Sequence, residues 1–304
     1  MQLYAALITV NSGLVQFAKS ILLLEMAAAS RTPRGTKPMY RPLIYTTCYG
    51  HQCYFDCLWL MLKSLYVFGH YRGGILVLTD RAEPQVRVPD EVTDMVRIIC
   101  CDVVDQSTRF TINEFLGDCD TPALYMDSDI VVTQDVDPIL RKMSATRGIY
   151  VGSESTLQPE FANIPPSAIT NQYANWFGLD LFLDDGELRE HPLECLNSGL
   201  FGFSERRLFE QPGSQIHEMF RCDRWSRIAA VYGDQPFFNY VLAKLEKIDS
   251  GLLSGSLSFV TNAEQAVELP RPFVHFAWAK GDDKAVQMSK YLSFLESSRS
   301  HQQT

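Results

Sequence analysis

In the stretch Ala123-Leu-Tyr-Met-Asp127-Ser-Asp129-Ile-Val-Val, two carboxylates follow an apolar run and stand one residue apart. An extended backbone directs residues i and i+2 to the same face, so both carboxylates can converge on one point. Carboxylates this close repel each other unless they share a proton or hold a cation. Mg²⁺ and Mn²⁺ prefer such hard oxygen ligands and complete their coordination with water and phosphate oxygens. The pair therefore predicts a metal bridge to a phosphorylated ligand.

The composition limits the classes of function. With 304 residues, the chain is long enough for one large domain or two small ones. Its net charge of −9 leaves no basic stripe to neutralise phosphates, so we predict no nucleic-acid partner. The eight cysteines do not indicate a disulfide framework in a chain of this length, and a reducing, cytoplasmic location is the simpler interpretation. Cys48, Cys53 and Cys57 raise the question of a zinc site, but no second Cys/His cluster follows at finger-like spacing, so none is predicted.

Residues 1–40 form an N-terminal extension of separate character. Leu3–Val10 and Ile21–Leu24 are apolar, but no uncharged run reaches the length of a membrane span. A signal peptide would carry its charge before the apolar stretch, and no charge precedes Lys19. We predict an amphipathic helix followed by the linker Ser30–Pro38. The helix docks either on the domain or on a membrane surface, which leaves peripheral membrane association open.

Short β-like runs alternate with helical ones from the end of this extension onward. The strand candidates are Leu43–Thr47, Ile75–Thr79, Val96–Cys100 and Ala123–Met126, and helical apolar spacing runs from Phe55 to Phe68. Near-continuous apolar strands separated by helices predict an α/β fold with a mostly parallel sheet covered on both faces. Ligands of such sheets bind beyond the carboxyl ends of the strands. The polar residues at those ends are Thr46, Thr47, Asp80, Asp127 and Asp129.

The second half of the chain has a different pattern. Residues 153–195 are rich in Pro, aromatic and acidic residues and show little periodicity. We expect this block to supply loops that shape the pocket of a second substrate. Beyond it, the pattern predicts a strand at Leu196–Phe203, a helix at Gly233–Leu245, a strand at Phe273–Phe276 and a helix at Lys284–Leu295.

Four segments, taken in order, resemble glycosyltransferase family eight, the retaining group that includes glycogenin and the bacterial lipopolysaccharide galactosyl- and glucosyltransferases. They are Tyr125-Met-Asp127-Ser-Asp129, Asn197-Ser-Gly199, Gly233-Asp234-Gln235-Pro-Phe-Phe-Asn239, and His275-Phe276 followed by Lys280. The opening runs Ile44–Cys48 and Leu76–Asp80 are similar to the family's nucleotide-binding start. The resemblance spans about residues 41–290 and implies a single GT-A domain at 41–297, followed by a short tail at 298–304.

The resemblance also implies a nucleotide-sugar donor, usually linked to UDP, and a Mn²⁺ (or Mg²⁺) ion. Carried over by position, Asp127 and Asp129 would be metal ligands and His275 the third. The residues implied to contact the donor or its nucleotide are Thr46, Thr47, Asp80, Arg109, Asp127, Asn197, Ser198, Gly199 and Lys280. Asp234 and Gln235 would be catalytic, because an oxygen beside the donor sugar stabilises a transition state that resembles an oxocarbenium ion.

One part of the pattern departs from the family. Trp278 stands where the family usually has a glycine, and Lys280 comes one residue earlier than the family's lysine. Lys280 and Lys284 are therefore competing candidates for the phosphate-binding position, and Lys280 is preferred.

We therefore predict a metal-dependent retaining transferase that moves a hexose from a UDP-sugar to a glycan or another hydroxyl acceptor. Two alternatives remain at this point. A strand followed by Asp127-x-Asp129, with Lys280-Gly-Asp282-Asp283 later in the chain, also matches the opening and closing motifs of haloacid-dehalogenase-like Mg²⁺-dependent phosphohydrolases, in which Asp127 would be the nucleophile. The other alternative is a catalytically inactive, glycosyltransferase-like binding protein.

Overall fold

The structure is a computed structural model, and it describes residues 42–116, 121–154, 172–185, 195–245 and 248–302. The predictions for residues 1–40 and for much of the irregular block at 153–195 lie outside these residues. Over the part of the chain so described, no helix is long and apolar enough to span a membrane.

Strands and helices alternate through most of the described chain. The strands are β1 (Leu43–Cys48), β2 (Ile75–Thr79), β3 (Val96–Cys100), β4 (Ala123–Met126), β5 (Ile130–Val132), β6 (Ile149–Ser153), β7 (Leu196–Phe203), β8 (Ile248–Asp249), β9 (Leu257–Phe259) and β10 (Phe273–His275). The α-helices are α1 (Gln52–Val67), α2 (Asn113–Leu116), α3 (Asp137–Ala145), α4 (Leu179–Asp185), α5 (Arg206–Phe220), α6 (Ser226–Tyr232), α7 (Gln235–Ala243), α8 (Gly251–Ser254), α9 (Ala263–Glu268) and α10 (Asp283–Gln302). Short 3₁₀ helices occupy Glu83–Gln85, Asp90–Met95, Gln106–Phe110, Gln172–Phe177 and Asp223–Trp225.

Seven of the described strands form the central sheet, in the order β3-β2-β1-β4-β7-β6-β8. Strands β1, β2, β3 and β4 run parallel to one another, whereas β7 runs antiparallel to both β4 and β6. Strand β8 is again parallel to β6. The predicted α/β fold with a mostly parallel central sheet flanked by helices is confirmed. Because β7 is reversed, its first residues lie at the same edge of the sheet as the carboxyl ends of β4 and β6.

Strand β4 shows why its sequence is apolar at every position. Ala123 and Tyr125 pack into a core rich in aromatic side chains on one face of the sheet. Leu124 and Met126 pack into a second core on the other face, against helix α1. A strand buried on both faces has no solvent side, so the alternation of apolar and polar residues disappears.

A small second sheet, in the order β5-β10-β9, adjoins the end of β4. Strand β10 is antiparallel to β5, and His275 pairs with Ile130 in this register. Ile130 directly follows Asp129, and the backbone N–H of Phe276 donates to the carbonyl oxygen of Asp129 at 3.0 Å. This pairing brings a residue from near the end of the chain to the two carboxylates.

The elements that were predicted agree closely with these bounds, but β5, β6, α3, α5 and several short elements were not predicted. Helix α5 at Arg206–Phe220 was not predicted, because Pro212 and Gly213 lie inside it and normally indicate a break. Gly213 is needed there, since a Cβ atom would lie 2.4 Å from the carbonyl oxygen of Phe110. The closing helix is also longer than predicted: it runs to Gln302, through the segment expected to be a tail.

Candidate active site

A cleft of about 520 Å³ opens at the edge of the sheet where β4 and β6 end and β7 begins. The predicted site residues that line it are Arg109, Asp127, Asp129, Asn197, Ser198, Gly199, Asp234, Gln235 and His275, joined by Glu154 and Lys284. They come from strand ends, from the 3₁₀ helix Gln106–Phe110, from the start of helix α7 and from the first turn of α10. Residues far apart in sequence thus meet at the position where parallel sheets usually bind ligands.

Two carboxylates and an imidazole form a compact group in this cleft. His275 Nε2 lies 3.0 Å from Asp129 Oδ1 and 3.6 Å from Asp127 Oδ2. Asp129 and His275 are buried, and one ligand atom from each of the three residues lies within 4.8 Å of the others. Burial alone would lower the pKa of His275, but Asp129 raises it above its ordinary value. The spacing and the donor set are suited to a single metal ion, and the group could bind one.

Two cationic side chains neutralise the carboxylates. Lys284 Nζ lies 2.5 Å from Asp129 Oδ2, and Arg109 Nη1 lies 2.9 Å from Asp127 Oδ1. Arg109 also lies 3.4 Å from Asp234 Oδ2 through its Nε. Burial alone would raise the pKa of Asp129, but Lys284 and His275 hold it well below its usual range. Asp129 is therefore ionised and able to act as a ligand.

Of the two lysines considered for phosphate binding, Lys284 lines the cleft, whereas the sequence analysis preferred Lys280. The Lys280 side chain is exposed and does not line the cleft. Between the two lysines, Gly281 adopts a φ of 50°, and helix α10 begins at Asp283. This left-handed residue redirects the chain, so that the second lysine enters the cleft while the first points to solvent.

The threonines of β1 and Asp80 lie behind or outside the cleft. The Tyr125 hydroxyl donates to Asp127 Oδ1 at 2.6 Å and lies 3.0 Å from Thr47 Oγ1. Thr46 is fully buried, and its hydroxyl donates to the Thr47 carbonyl at 3.5 Å. Asp80 is exposed and accepts a hydrogen bond from the backbone N–H of Gly50. Thr47 therefore supports Asp127 through Tyr125. Among the described residues that line the cleft, neither Thr46 nor Asp80 is present.

Amide side chains around a buried carboxylate form the opposite wall. Asn197 Nδ2 and Gln235 Nε2 donate to Glu154 Oε1 at 2.8 and 3.2 Å. Asn197 Nδ2 also donates to Gln235 Oε1 at 3.4 Å, and Asn197 Oδ1 accepts a hydrogen bond from the Gly199 N–H. Burial raises the pKa of Glu154, although the two amides oppose this shift. These contacts fix the orientation of both amides.

Glu154 was not predicted as a site residue. It directly follows the apolar strand β6, just as Asp127 follows β4. This position after a buried strand was the one available signal, and it was lost because Glu154 falls within the irregular block 153–195.

Gly199 is required by the close approach of Asp127 and His275. A Cβ atom at this position would lie 2.5 Å from Asp127 Oδ2 and 2.5 Å from His275 Cε1. Its carbonyl oxygen accepts a hydrogen bond from the backbone N–H of Asp127 at 2.8 Å. The strand therefore packs directly against the carboxylate, and the residue with no side chain fits there.

We expect Gly199→Ala to displace Asp127 and His275 and to weaken metal binding by about 10- to 100-fold, the usual cost of disturbing the groups that orient metal ligands. Overpacking of this kind also lowers the free energy of unfolding by about 1–3 kcal/mol. Calorimetric metal titration and thermal melting measure the two effects. Gly255→Ala is the matched control, since its Cβ would meet its nearest neighbour at 3.7 Å. Unchanged metal affinity in Gly199→Ala would contradict the close packing.

No protein-family model and no curated protein matches the sequence. Solved structures do match. Galactosyltransferase LgtC in complex with donor and acceptor sugar analogues matches with a TM-score of 0.48 at 12% identity, over 83% of this chain and 95% of that chain. An active-site mutant of LgtC matches with a TM-score of 0.49 at 10% identity, over 82% and 95% of the two chains. The bifunctional glycosyltransferase WbbM in its apo form matches with a TM-score of 0.49 at 12% identity, over 85% of this chain and 51% of that chain. These similarities concern the fold, and we base the function on the side chains of the cleft.

Proposed function

We propose that this chain is a metal-dependent retaining glycosyltransferase that transfers a hexose from a UDP-sugar to a glycan or another hydroxyl acceptor. One observation carries the proposal. A single cleft contains three suitable metal ligands, two cationic side chains beside them, and a wall of oriented amides around a buried carboxylate. The first two features suit a diphosphate, and the third suits the hydroxyl groups of a sugar.

Asp127, Asp129 and His275 would hold the metal. Two carboxylates and one imidazole suit Mn²⁺ better than Mg²⁺, because the nitrogen ligand is softer than oxygen. When bound, such an ion supplies Lewis-acid stabilisation of the charge on a leaving diphosphate. The buried position of Asp129 and His275 restricts water around the ligands and strengthens these electrostatic contacts.

Arg109 and Lys284 would have different roles. Arg109 is buried and holds Asp127 and Asp234 in place through two ion pairs. Lys284 forms one ion pair, with Asp129, and its ammonium is a point charge on a flexible stem. We infer that Lys284 exchanges Asp129 for the phosphate oxygens when the donor binds.

Asn197, Gln235 and Asp234 would bind the donor sugar, and Glu154 would orient the two amides. Gln235 Nε2 donates to Glu154 and Oε1 accepts from Asn197 Nδ2, so the remaining lone pair of Oε1 would face positive charge that develops at the anomeric carbon. Asp234 lies at the start of helix α7, directly before Gln235, and pairs with Arg109. This ion pair holds the Asp234 carboxylate in place as a second oxygen group beside Gln235. A preorganised wall of this kind stabilises the transition state without having to rearrange during the reaction.

The closing motif of the phosphohydrolase alternative does not lie in the cleft with Asp127. It requires Lys280, Asp282 and Asp283 to meet Asp127, but none of the three lines the cleft in the described part of the chain. Asp282 instead lies beside His51 at the start of helix α1. The transferase proposal gives a role to every carboxylate that lines the cleft.

The test is calorimetric titration of UDP into the purified protein, with and without Mn²⁺. We expect binding to require Mn²⁺ and to disappear in His275→Ala. A screen of UDP-sugars for donor hydrolysis and transfer then identifies the sugar. Absence of UDP binding under both conditions would contradict the proposal and direct attention to phosphatase activity with Mg²⁺. Mn²⁺-dependent UDP binding without turnover of any donor would favour the inactive binding protein.

Lys284→Ala should increase the affinity for Mn²⁺ in the absence of nucleotide. Lys284 occupies Asp129 Oδ2, so the ion must displace it in order to use that oxygen. We expect a gain of about tenfold, which corresponds to about 1.4 kcal/mol. Electron paramagnetic resonance of free Mn²⁺ measures it, and Lys280→Ala, at an exposed position, is the matched control. Weaker Mn²⁺ binding in Lys284→Ala would show that the lysine does not compete with the metal.

A further inference from the structure

A second group of metal-ligand side chains lies outside the cleft, where helices α1 and α10 begin. It consists of His51, Cys53 and Asp282. His51 Nδ1 lies 3.3 Å from Asp282 Oδ1, and the Cys53 thiol lies close to both residues. One ligand atom from each residue lies within 4.8 Å of the other two. Three different donor atoms, sulfur, nitrogen and oxygen, therefore face one point.

We propose that His51, Cys53 and Asp282 form a binding site for a divalent cation of the zinc class, distinct from the site in the cleft. Zn²⁺ binds thiolate, imidazole and carboxylate, and sites with three protein ligands keep a fourth position for water. A soft thiolate selects Zn²⁺ over Mg²⁺ and Mn²⁺, which prefer oxygen ligands. The three ligands of the cleft include no sulfur. The two sites therefore differ in the ion that they favour.

The ligands are accessible and are held from two sides. The side chains of His51 and Asp282 are 68% and 82% exposed, so an ion can enter from solvent. Cys53 lies in the first turn of helix α1, its residue is largely buried, and it forms no disulfide. The ordered helix thus fixes the sulfur, and the two exposed groups close over the ion.

Binding changes protonation but involves no oxidation or reduction. Burial, followed by the charge of Asp282, raises the pKa of the Cys53 thiol, so the sulfur carries a proton when no cation is present. The incoming ion forms a bond to sulfur, and the thiol proton leaves to solvent. His51 contributes the lone pair of Nδ1, and Asp282 contributes a carboxylate oxygen.

This site also explains why the cysteine spacing was uninformative. Cys48 and Cys57 are buried in the cores beside helix α1, whereas Cys53 meets a histidine two residues away and an aspartate near the end of the chain. Asp282 precedes Lys284 by two residues. A bound ion would therefore tie the start of helix α1 to the turn that directs Lys284 into the cleft.

Cobalt titration tests the proposal, because Co²⁺ substitutes for Zn²⁺ and a thiolate ligand gives a sulfur-to-cobalt charge-transfer absorption. The titration uses the full-length His275→Ala variant, in which the cleft lacks its nitrogen ligand. We expect the charge-transfer band at one equivalent of Co²⁺, and its loss when Zn²⁺ is added. Cys53→Ser in this background should abolish the band. Cys222→Ser, at an exposed cysteine that is not part of the group, should leave it unchanged.

Two further variants test the site independently in case Cys53→Ser does not fold. His51→Ala and Asp282→Asn change exposed side chains, and each should weaken Co²⁺ binding at least about tenfold, as disturbance of metal-site groups commonly does. A charge-transfer band of full intensity in Cys53→Ser would overturn the proposal. Unchanged Co²⁺ affinity in both His51→Ala and Asp282→Asn would overturn it as well. Neither result depends on donor binding or turnover, so the proposed transferase function would stand or fall separately.

Discussion

Asp129→Ala should abolish Mn²⁺-dependent binding of UDP. The substitution removes both oxygens of a buried carboxylate that lies 3.0 Å from His275 Nε2. Groups that only orient a ligand are worth about 10- to 100-fold in metal affinity, so we expect loss of a ligand itself to exceed roughly 100-fold. Calorimetric titration of UDP with and without Mn²⁺ measures the effect, and Mn²⁺ titration without nucleotide identifies the step that is lost.

The same substitution leaves Lys284 without its ion-pair partner. The resulting loss of stability must be separated from the effect on metal and UDP binding. Removing one member of a buried ion pair costs up to about 3–5 kcal/mol of folding free energy. Asp129→Asn keeps the shape of the side chain, and Asp94→Ala, at an exposed position, controls for loss of a carboxylate in general. Thermal melting reports the fraction of folded protein. Mn²⁺-dependent affinity that survives in both Asp129 variants would exclude this residue as a ligand.

Most strands of the sheet could be predicted from the sequence because the inner strands are buried on both faces. Ile75–Thr79, Val96–Cys100, Ala123–Met126 and Leu196–Phe203 have the predicted bounds. Continuous apolar runs are a local signal, and local signals are visible in one sequence. Helix α5 was missed for the opposite reason, since Pro212 and Gly213 are tolerated there through tertiary packing that no local pattern records.

The site residues likewise include some that have a local signal in the sequence and some that do not. Asp127 and Asp129 were visible because two carboxylates directly follow a strand. His275 joins them only because β10 pairs with β5, a contact between distant segments, and the resemblance to a family was needed to suggest it. Lys284 depends on a left-handed glycine between two lysines, and Glu154 on the end of a strand within a block of low periodicity. The residue types were visible in the sequence, but the positions of His275, Lys284 and Glu154 in three dimensions were not.

Gln235→Ala should lower turnover far more than donor binding. The Gln235 amide is oriented because its Oε1 accepts from Asn197 Nδ2 and its Nε2 donates to Glu154. The proposed contact of Oε1 with the sugar is strongest when positive charge develops in the transition state. Removing one preorganised group that stabilises transition-state charge costs about 10²- to 10³-fold in kcat. An interaction made only in the transition state does not contribute to ground-state affinity. Steady-state kinetics with the active UDP-sugar, together with its calorimetric Kd, separates the two quantities.

The neighbouring carboxylate provides the companion experiment, because Glu154 holds Gln235 by accepting from Nε2 at 3.2 Å. Glu154→Gln keeps the volume but can present an N–H to Gln235 Nε2, which repels that donor and lets the amide turn. If Gln235 acts through its oxygen, Glu154→Gln should also lower kcat, and combining the two substitutions should cost less than the sum of the single effects. An equal loss of kcat and donor affinity in Gln235→Ala would instead identify it as a ground-state binding residue. Additive effects in the double variant would show that Glu154 contacts the donor independently of Gln235.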